Sequence, residues 1–452
     1  MTSTTTPHDT IDTLTLRVAE HLQSDEFEAA AALIAPLHPG DLAHVIQYLP
    51  PSLRALLISK LYEHVPSNVF SYLDESVREE LLPLLPPKAL AQLVGRLASD
   101  DALSLLDDLS HPQKTAVLHS ISHQKRQRYE VLQNYPKDTA ARLMQAEMIV
   151  VPVTWTAKKA LSYITTNKQT PRNVYEIFLV TDDWQLVGIV LLADLMRAAQ
   201  NTPLKKLMNE ETYAVDALET QENIVRHFQR YSLISAPVVD KKNHLLGIIT
   251  ADDVLSVLDK EAEEDIMHLG GVGASDFYAP ILSTTLARFQ WLLITFLNTL
   301  LASAVISQFQ MVLEKKVALA ILMPIVAAMG GNAGTQVVTV VVRALATQEL
   351  GVLNMGRTLV KSLAVSLLNG FLFAIILSAI AIVWFGDWSL GLVLGSALLL
   401  NMVWAGVAGT LLPILVSHMN LDPALSAGPI LTTTTDVLGF SIFLGLAKMF
   451  VL

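Results

Sequence analysis

The stretch Leu431-Thr432-Thr433-Thr434-Thr435-Asp436-Val437-Leu438-Gly439-Phe440 decides how the chain is read, because it sets one carboxylate beside four hydroxyls inside the otherwise apolar run 425–450. A run of that length exceeds the ~20 residues that a helix needs to cross the hydrocarbon core of a bilayer. Asp436 falls about twelve residues into it, about 18 Å along a helix and near the midplane. A carboxylate at that depth carries a penalty of about 3 kcal/mol on insertion scales, so it normally faces a polar interior and marks an ion or proton path. The competing account is an Asp satisfied by helix–helix hydrogen bonds, with no transport role.

Four more apolar runs precede it, roughly 289–313, 317–342, 358–385 and 390–416, so five transmembrane helices are expected. The second contains Met329-Gly330-Gly331-Asn332-Ala333-Gly334-Thr335-Gln336, preceded by Pro324. Glycines and a proline at mid-membrane loosen a helix and can turn carbonyls toward a cavity. Close packing through small residues is the plainer alternative. Taken with Asp436 at the same depth, an oxygen-lined cation site is the better account, and one carboxylate with carbonyls, amides and water suits Mg2+. Arg343, Arg357 and Lys361 lie between the second and third runs and Arg288 precedes the first, so those ends are expected in the cytoplasm, although Lys315 and Lys316 in the first outer loop count against it. Five crossings from a cytoplasmic front then leave the C-terminus outside.

Charge divides the chain as sharply as hydropathy does. Only eleven of its 73 charged residues lie in 289–452, and the front carries 37 acids against 25 bases, a net of −12. An acidic front suits cations and argues against nucleic acid or anionic lipid as a partner. With no cysteine there are no disulfides or thiolate metal sites, which leaves oxygen and imidazole as ligands. The opening residues show no basic stretch followed by an apolar run, so no cleavable signal peptide is expected. No nucleophile–base set, Walker loop or clustered His motif appears, and the chain is not expected to be an enzyme.

Within the front, residues 15–135 are Leu- and Ala-rich with helical spacing, and one unit recurs: Pro39, Leu42, Ala43, Val45, Ile46 and Leu49 match Pro87, Leu90, Ala91, Leu93, Val94 and Leu97. A second repeat is of strand type. Ile177 to Val180, Asp182, Leu186-Val187-Gly188-Ile189-Val190 and Asp194 form one copy; Val238, Val239, Asp240, Leu245-Leu246-Gly247-Ile248-Ile249-Thr250 and Asp253 form the other. This resembles a tandem pair of cystathionine-beta-synthase (CBS) domains, which sense adenosyl nucleotides or ions. In that family a Thr or Ser followed three residues later by Asp holds the ribose, a pattern met by Thr250 and Asp253; Leu191 takes the Thr position in the first copy, so one nucleotide site is expected. Asp253 as a plain helix N-terminal acid is an equal alternative. From Val254 to Leu269 an acidic helix joins the pair to the first span, either as a solvated face or as a mechanical connector.

With GGNAGTQ at 330–336, Glu264-Asp265-Ile266, Asp422-Pro423-Ala424 and Thr435-Asp436-Val437 in this order, the chain resembles the MgtE magnesium transporters over nearly all its length. The resemblance implies a helical, superhelical N domain (1–140), an α/β CBS pair (141–204 and 205–253), a connecting plug helix (254–285) and a transmembrane bundle of five spans (286–452). It implies a homodimer in the bacterial cytoplasmic membrane, with Asp436 as the principal pore ligand and Asn332 and Gly331 lining the pathway. Mg2+ would be both cargo and regulator, closing the pore by bridging Asp100, Asp253, Glu261, Glu264, Asp265 and, at the cytoplasmic mouth, Asp422; ATP is a further ligand to test. Ser104, Ser232 and Ser256 stand where the family often has further acids, which implies fewer or weaker sensor ions, and Gly428-Pro429 departs from the family in the last span. Two other accounts are a CBS-containing membrane sensor or scaffold that moves nothing, against which the midplane Asp436 speaks, and a transporter of broader divalent range, including Co2+ and Mn2+.

Overall fold

A computed structural model describes residues 7–167, 171, 174–209, 212–272, 278–279, 281–347, 349–351, 354–419 and 421–451. The chain forms two compact units, Met1–Glu261 with Phe277–Ala279, and Ala262–Asp276 with Pro280–Leu452. Residues 273–277, inside the expected connector, lie outside the described residues.

The first unit begins with short helices, among them Pro39–Tyr48, Pro51–Leu61, Glu75–Leu81, Pro87–Arg96 and Ser99–Asp108. Proline opens three of these because its missing N–H falls where a helix has no internal partner for it. The repeat seen in the sequence is one of buried faces: Leu42, Ala43, Val45, Ile46 and Leu49 are in the core, as are Leu90, Leu93, Val94 and Leu97. The one cation buried in this core, among the described residues, is Arg54, whose guanidinium reaches Glu80 at 2.8 Å and the Leu49 carbonyl at 3.1 Å. A charge taken from water needs such partners.

Two three-stranded sheets follow. In the first, β1 (Val150–Pro152) runs parallel to β2 (Glu176–Val180), which is antiparallel to β3 (Leu186–Leu191). In the second, β4 (Val215–Asp216), β5 (Ser235–Val239) and β6 (Leu245–Thr250) repeat that order and those directions. Each parallel connection carries a helix, Ala157–Thr166 or Gln221–Tyr231, as parallel pairing requires. The copies exchange their lead-in segments: Gln145 bridges to Ile248 of the second copy, and Asn209 bridges to Ile189 of the first. This explains the glycine in each copy, since a Cβ on Gly188 would meet the Asn209 carbonyl oxygen at 2.7 Å and one on Gly247 the Gln145 carbonyl oxygen at 2.6 Å. The helix Ala251–Leu269 then leaves the end of β6.

The second unit holds five helices long and apolar enough to cross a membrane: span 1 Ile281–Ser307, span 2 Ala318–Ala346, span 3 Met355–Phe385, span 4 Trp388–His418 and span 5 Pro423–Phe450. Span 4 packs against spans 2, 3 and 5, while span 1 packs against span 5. The spans fall near the expected runs with one clear difference: span 1 begins at Ile281, not near 289, so Arg288 lies inside the helix. A single long cation does not end a helix, because its stem can carry the charge toward the interface. Lys316, one of the cations that count against the expected orientation, pairs with Asp387, the residue that caps span 4 through the amide of Ser389 at 2.9 Å. That partnership pulls the Asp387 carboxyl below its usual range, with the Lys316 contact the largest cause and the Ser389 contact next.

Candidate cation pathway and acidic switch

Span 5 carries Asp436 near its middle, about 20 Å from Pro423 along the helix. Its four preceding threonines turn their hydroxyls back onto the helix: Thr432 to Gly428, Thr433 to Pro429, Thr434 and Thr435 to Leu431. They thereby satisfy themselves in an apolar medium and leave oxygen lone pairs beside Asp436. Asp436 is half-buried, and among the described residues no Lys, Arg or His pairs with it. In the unbilayered interior of a bundle, an acid without a cationic partner is the feature most in need of an ion.

Span 2 is an unbroken helix through Pro324 and the glycines, which corrects the expectation of a loosened segment. Its glycines instead serve packing on one face: a Cβ on Gly330 would fall 2.2 Å from Asn401 of span 4, and one on Gly334 2.7 Å from Leu431 of span 5. Residues four apart share a helix face, and the neighbouring face is left free of such contact. There Gly331 is open, Asn332 is exposed and Thr335 donates to the Gly331 carbonyl at 2.9 Å. Asn332 and Gly331 are therefore available to a pathway, and the carbonyls of this stretch belong to the helix.

At one end of span 5, Asp422 caps the helix by accepting from the Ala424 amide at 2.8 Å. His268, in the last turn of the helix Ala251–Leu269, brings Nδ1 within 2.7 Å of the Asp422 carboxylate. Asp265 sits half-buried nearby; burial raises its carboxyl, Asp422 raises it further, and His268 and Arg343 oppose the rise. The sequence reading named Asp265 and Asp422 and passed over His268, whose partner is 154 positions away. Glu264 is half-buried beside Asp265 in this unit, and Glu261 is half-buried at the end of the first.

In the first unit, Asp100 in the opening turn of Ser99–Asp108 faces Asp253 in the opening turn of Ala251–Leu269. A chain of contacts sets them there. Ser99 Oγ donates to Glu147 at 2.8 Å and accepts from the Ala146 amide at 2.7 Å, while Gln145 donates to Asp253 at 2.8 Å. Asp253 also accepts from the Thr250 hydroxyl at 2.6 Å. Both carboxyls are pushed well up: Asp100 by burial first and then by Asp253 and Asp101, Asp253 by burial first with Asp252 adding to it and Thr250 and Gln145 opposing. Asp100 Oδ1 is buried with no hydrogen-bond partner. An orphaned carboxylate oxygen opposite a second carboxylate fits a divalent cation.

A separate cleft of about 510 Å³ opens on the CBS pair, lined by Ile189, Asn209, Thr212, Tyr213, Tyr231 and Ser235 among others. Tyr213 and Tyr231 lie with ring centroids 5.3 Å apart, and His227 is 4.6 Å from Tyr213. It is related to the Thr250–Asp253 corner by the repeat, since the Asn209 bridge to Ile189 mirrors the Gln145 bridge to Ile248.

An all-helical domain, a CBS pair and five apolar helices, the last with an acid at mid-span, define a multi-pass membrane protein of the ion-transporter class. Family comparisons agree by segment: MgtE intracellular N domain over residues 37–138, CBS domain over 140–201 and 204–260, and MgtE, divalent cation transporter, over 323–446. The magnesium transporter MgtE of Thermus thermophilus is 31% identical over 444 residues, covering 96% of this chain and 98% of that one. The magnesium transporter MgtE of Bacillus subtilis is 28% identical over 443 residues, with 98% of each chain covered. The cytosolic domain of the Mg2+ channel MgtE in complex with ATP matches 54% of this chain at 27% identity, with a TM-score of 0.49. The chain belongs to the MgtE family of magnesium transporters.

Proposed function

We propose that this protein carries Mg2+ into the cell along a passive pathway in a homodimer, with Asp436 as the principal ligand and Asn332 lining the route, and that cytosolic Mg2+ shuts it. The observation that carries the reading is Asp436 itself, half-buried at mid-span, among self-satisfied threonines and with no cationic partner among the described residues. Hard oxygen ligands around a single carboxylate suit an ion that keeps part of its water shell. Inward direction follows from energetics, since a membrane negative inside by 100 mV favours entry of a divalent cation by about 4.6 kcal/mol.

Closure is assigned to two acidic clusters. Asp100 and Asp253, whose carboxyls are held protonated-leaning by burial and mutual repulsion, take a bridging ion that removes both penalties. Asp265, Glu264 and Asp422 act likewise at the mouth of span 5, with Glu261 on the helix between the clusters. When Mg2+ leaves, like charges face one another and the helix Ala251–Leu269 is released. For an adenine nucleotide we infer the cleft of Tyr213 and Tyr231 rather than Thr250 and Asp253, because the tyrosine faces offer stacking while the Asp253 carboxylate is already engaged by Thr250 and Gln145.

The test is rescue of a bacterial strain unable to grow at low external Mg2+. The wild-type chain restores growth and Asp436→Ala does not, at equal membrane abundance. Equal rescue by both would remove Asp436 from the pathway.

A further inference from the structure

Asn401 stands near the middle of span 4 and is 0% exposed. It fits into a notch made by two glycines on different helices, Gly330 of span 2 and Gly439 of span 5. A Cβ on the first would lie 2.2 Å from Asn401 Nδ2, and one on the second 2.7 Å from the same atom. Nδ2 donates to the Val326 carbonyl of span 2 at 3.1 Å, while Oδ1 is buried with no hydrogen-bond partner. Leaving an acceptor unpaired in a buried site is unfavourable. An apolar side chain of the same branched shape would carry no such penalty, so packing alone does not account for an amide here.

The residues that the notch joins are those next to the candidate pathway. Gly330 immediately precedes Gly331 and Asn332, and Gly439 follows Asp436 by three residues, less than one helical turn. We propose that Asn401 is a positioning residue of the cation pathway: by tying span 4 to the Val326 carbonyl and wedging between Gly330 and Gly439, it fixes the separation of the span carrying Asn332 from the span carrying Asp436. Its own oxygen hydrogen-bonds to neither Asn332 nor Asp436; it acts through the spacing of the two helices. The inference rests on the reading of Asp436 as the ion ligand.

The experiment compares Mg2+ uptake into proteoliposomes for wild type, Asn401→Leu, Asn401→Ser, Gly330→Ala and Asp436→Ala, each checked for monodisperse elution and thermal melting in detergent. Asn401→Leu replaces the amide by an apolar group of the same branched shape, Asn401→Ser keeps only a shorter hydroxyl and leaves the notch underfilled, and Gly330→Ala displaces the amide from its notch while leaving residue 401 an asparagine. The expected result is a half-saturating Mg2+ concentration raised about fivefold in all three, the equivalent of one neutral hydrogen bond, with elution as for wild type. Folded variants that keep the wild-type half-saturation overturn the proposal, and if Asn401→Leu fails to fold, the other two decide. Failure of all three to fold also overturns it, because the residue is then a folding element only. Asp436→Ala separates the two claims: normal flux in that variant sinks the ligand assignment, whereas its loss beside unaltered Asn401 variants sinks only the positioning role.

Discussion

The proposed function turns on Asp436, because a lone carboxylate at mid-span is unfavourable unless something polar visits it. Replacing it removes an unfavourable group and no packing anchor, so Asp436→Ala is expected to abolish Mg2+ flux while the melting temperature in detergent holds or rises. A large drop in melting temperature would mean that the acid is structural. Glu176 offers a second residue-level test away from the proposed ion ligands. Burial pushes its carboxyl up to about 7, and the Ser235 hydroxyl donates to it. A raised acid favours the folded state most when protonated, so this group's contribution is fully present below about pH 4.5 and is lost as pH rises toward about 7. Glu176→Gln should therefore melt close to wild type at pH 4.5 and a few degrees above it at pH 8; a gap that does not widen with pH contradicts the burial argument.

At the level of elements, the sequence showed most where one residue type has one physical use. Proline at Pro39 and Pro87, the paired strand patterns and the five apolar runs each translate directly into helix starts, sheets and spans. It was ambiguous where one residue type has two uses. The glycines of span 2 could loosen a helix or let helices approach, and only the neighbours Asn401 and Leu431 decide for approach. Gly334→Val should accordingly lower the melting temperature by several degrees through collision with Leu431, and an unchanged melting curve would refute the close approach. Partnerships across the chain, such as Asn401 with Val326 and His268 with Asp422, leave no local signature because they depend on which helices become neighbours. His268→Ala should raise the cytosolic Mg2+ needed for closure by about threefold, the worth of one half-exposed hydrogen bond, as read from flux against Mg2+ concentration; an unchanged closing concentration would make the contact incidental.

For the whole molecule, the division of charge is the organising fact: a front of net −12 precedes a tail with eleven charged residues. Under the proposed closure, loss of bridging cations would leave acids of the front facing one another, and the tail carries few charges with which to compensate. That division was legible from composition alone, as was the candidate ligand Asp436, because an acid in an apolar run stands out without any structure. Asp100 and Asp253 were each named by resemblance, without being paired; their facing one another is legible only in the structure, where a buried, unpartnered carboxylate oxygen of Asp100 lies opposite the second acid, beside the contacts of Gln145, Ser99 and Glu147. The most direct measurement is Mg2+ uptake into proteoliposomes with the front exposed first to low and then to high Mg2+, wild type beside Asp436→Ala and Asp253→Asn. The account predicts flux that requires Asp436, falls at high Mg2+ in the wild type, and persists at high Mg2+ in Asp253→Asn; flux that survives Asp436→Ala, or no flux in the wild type under any condition, would contradict it.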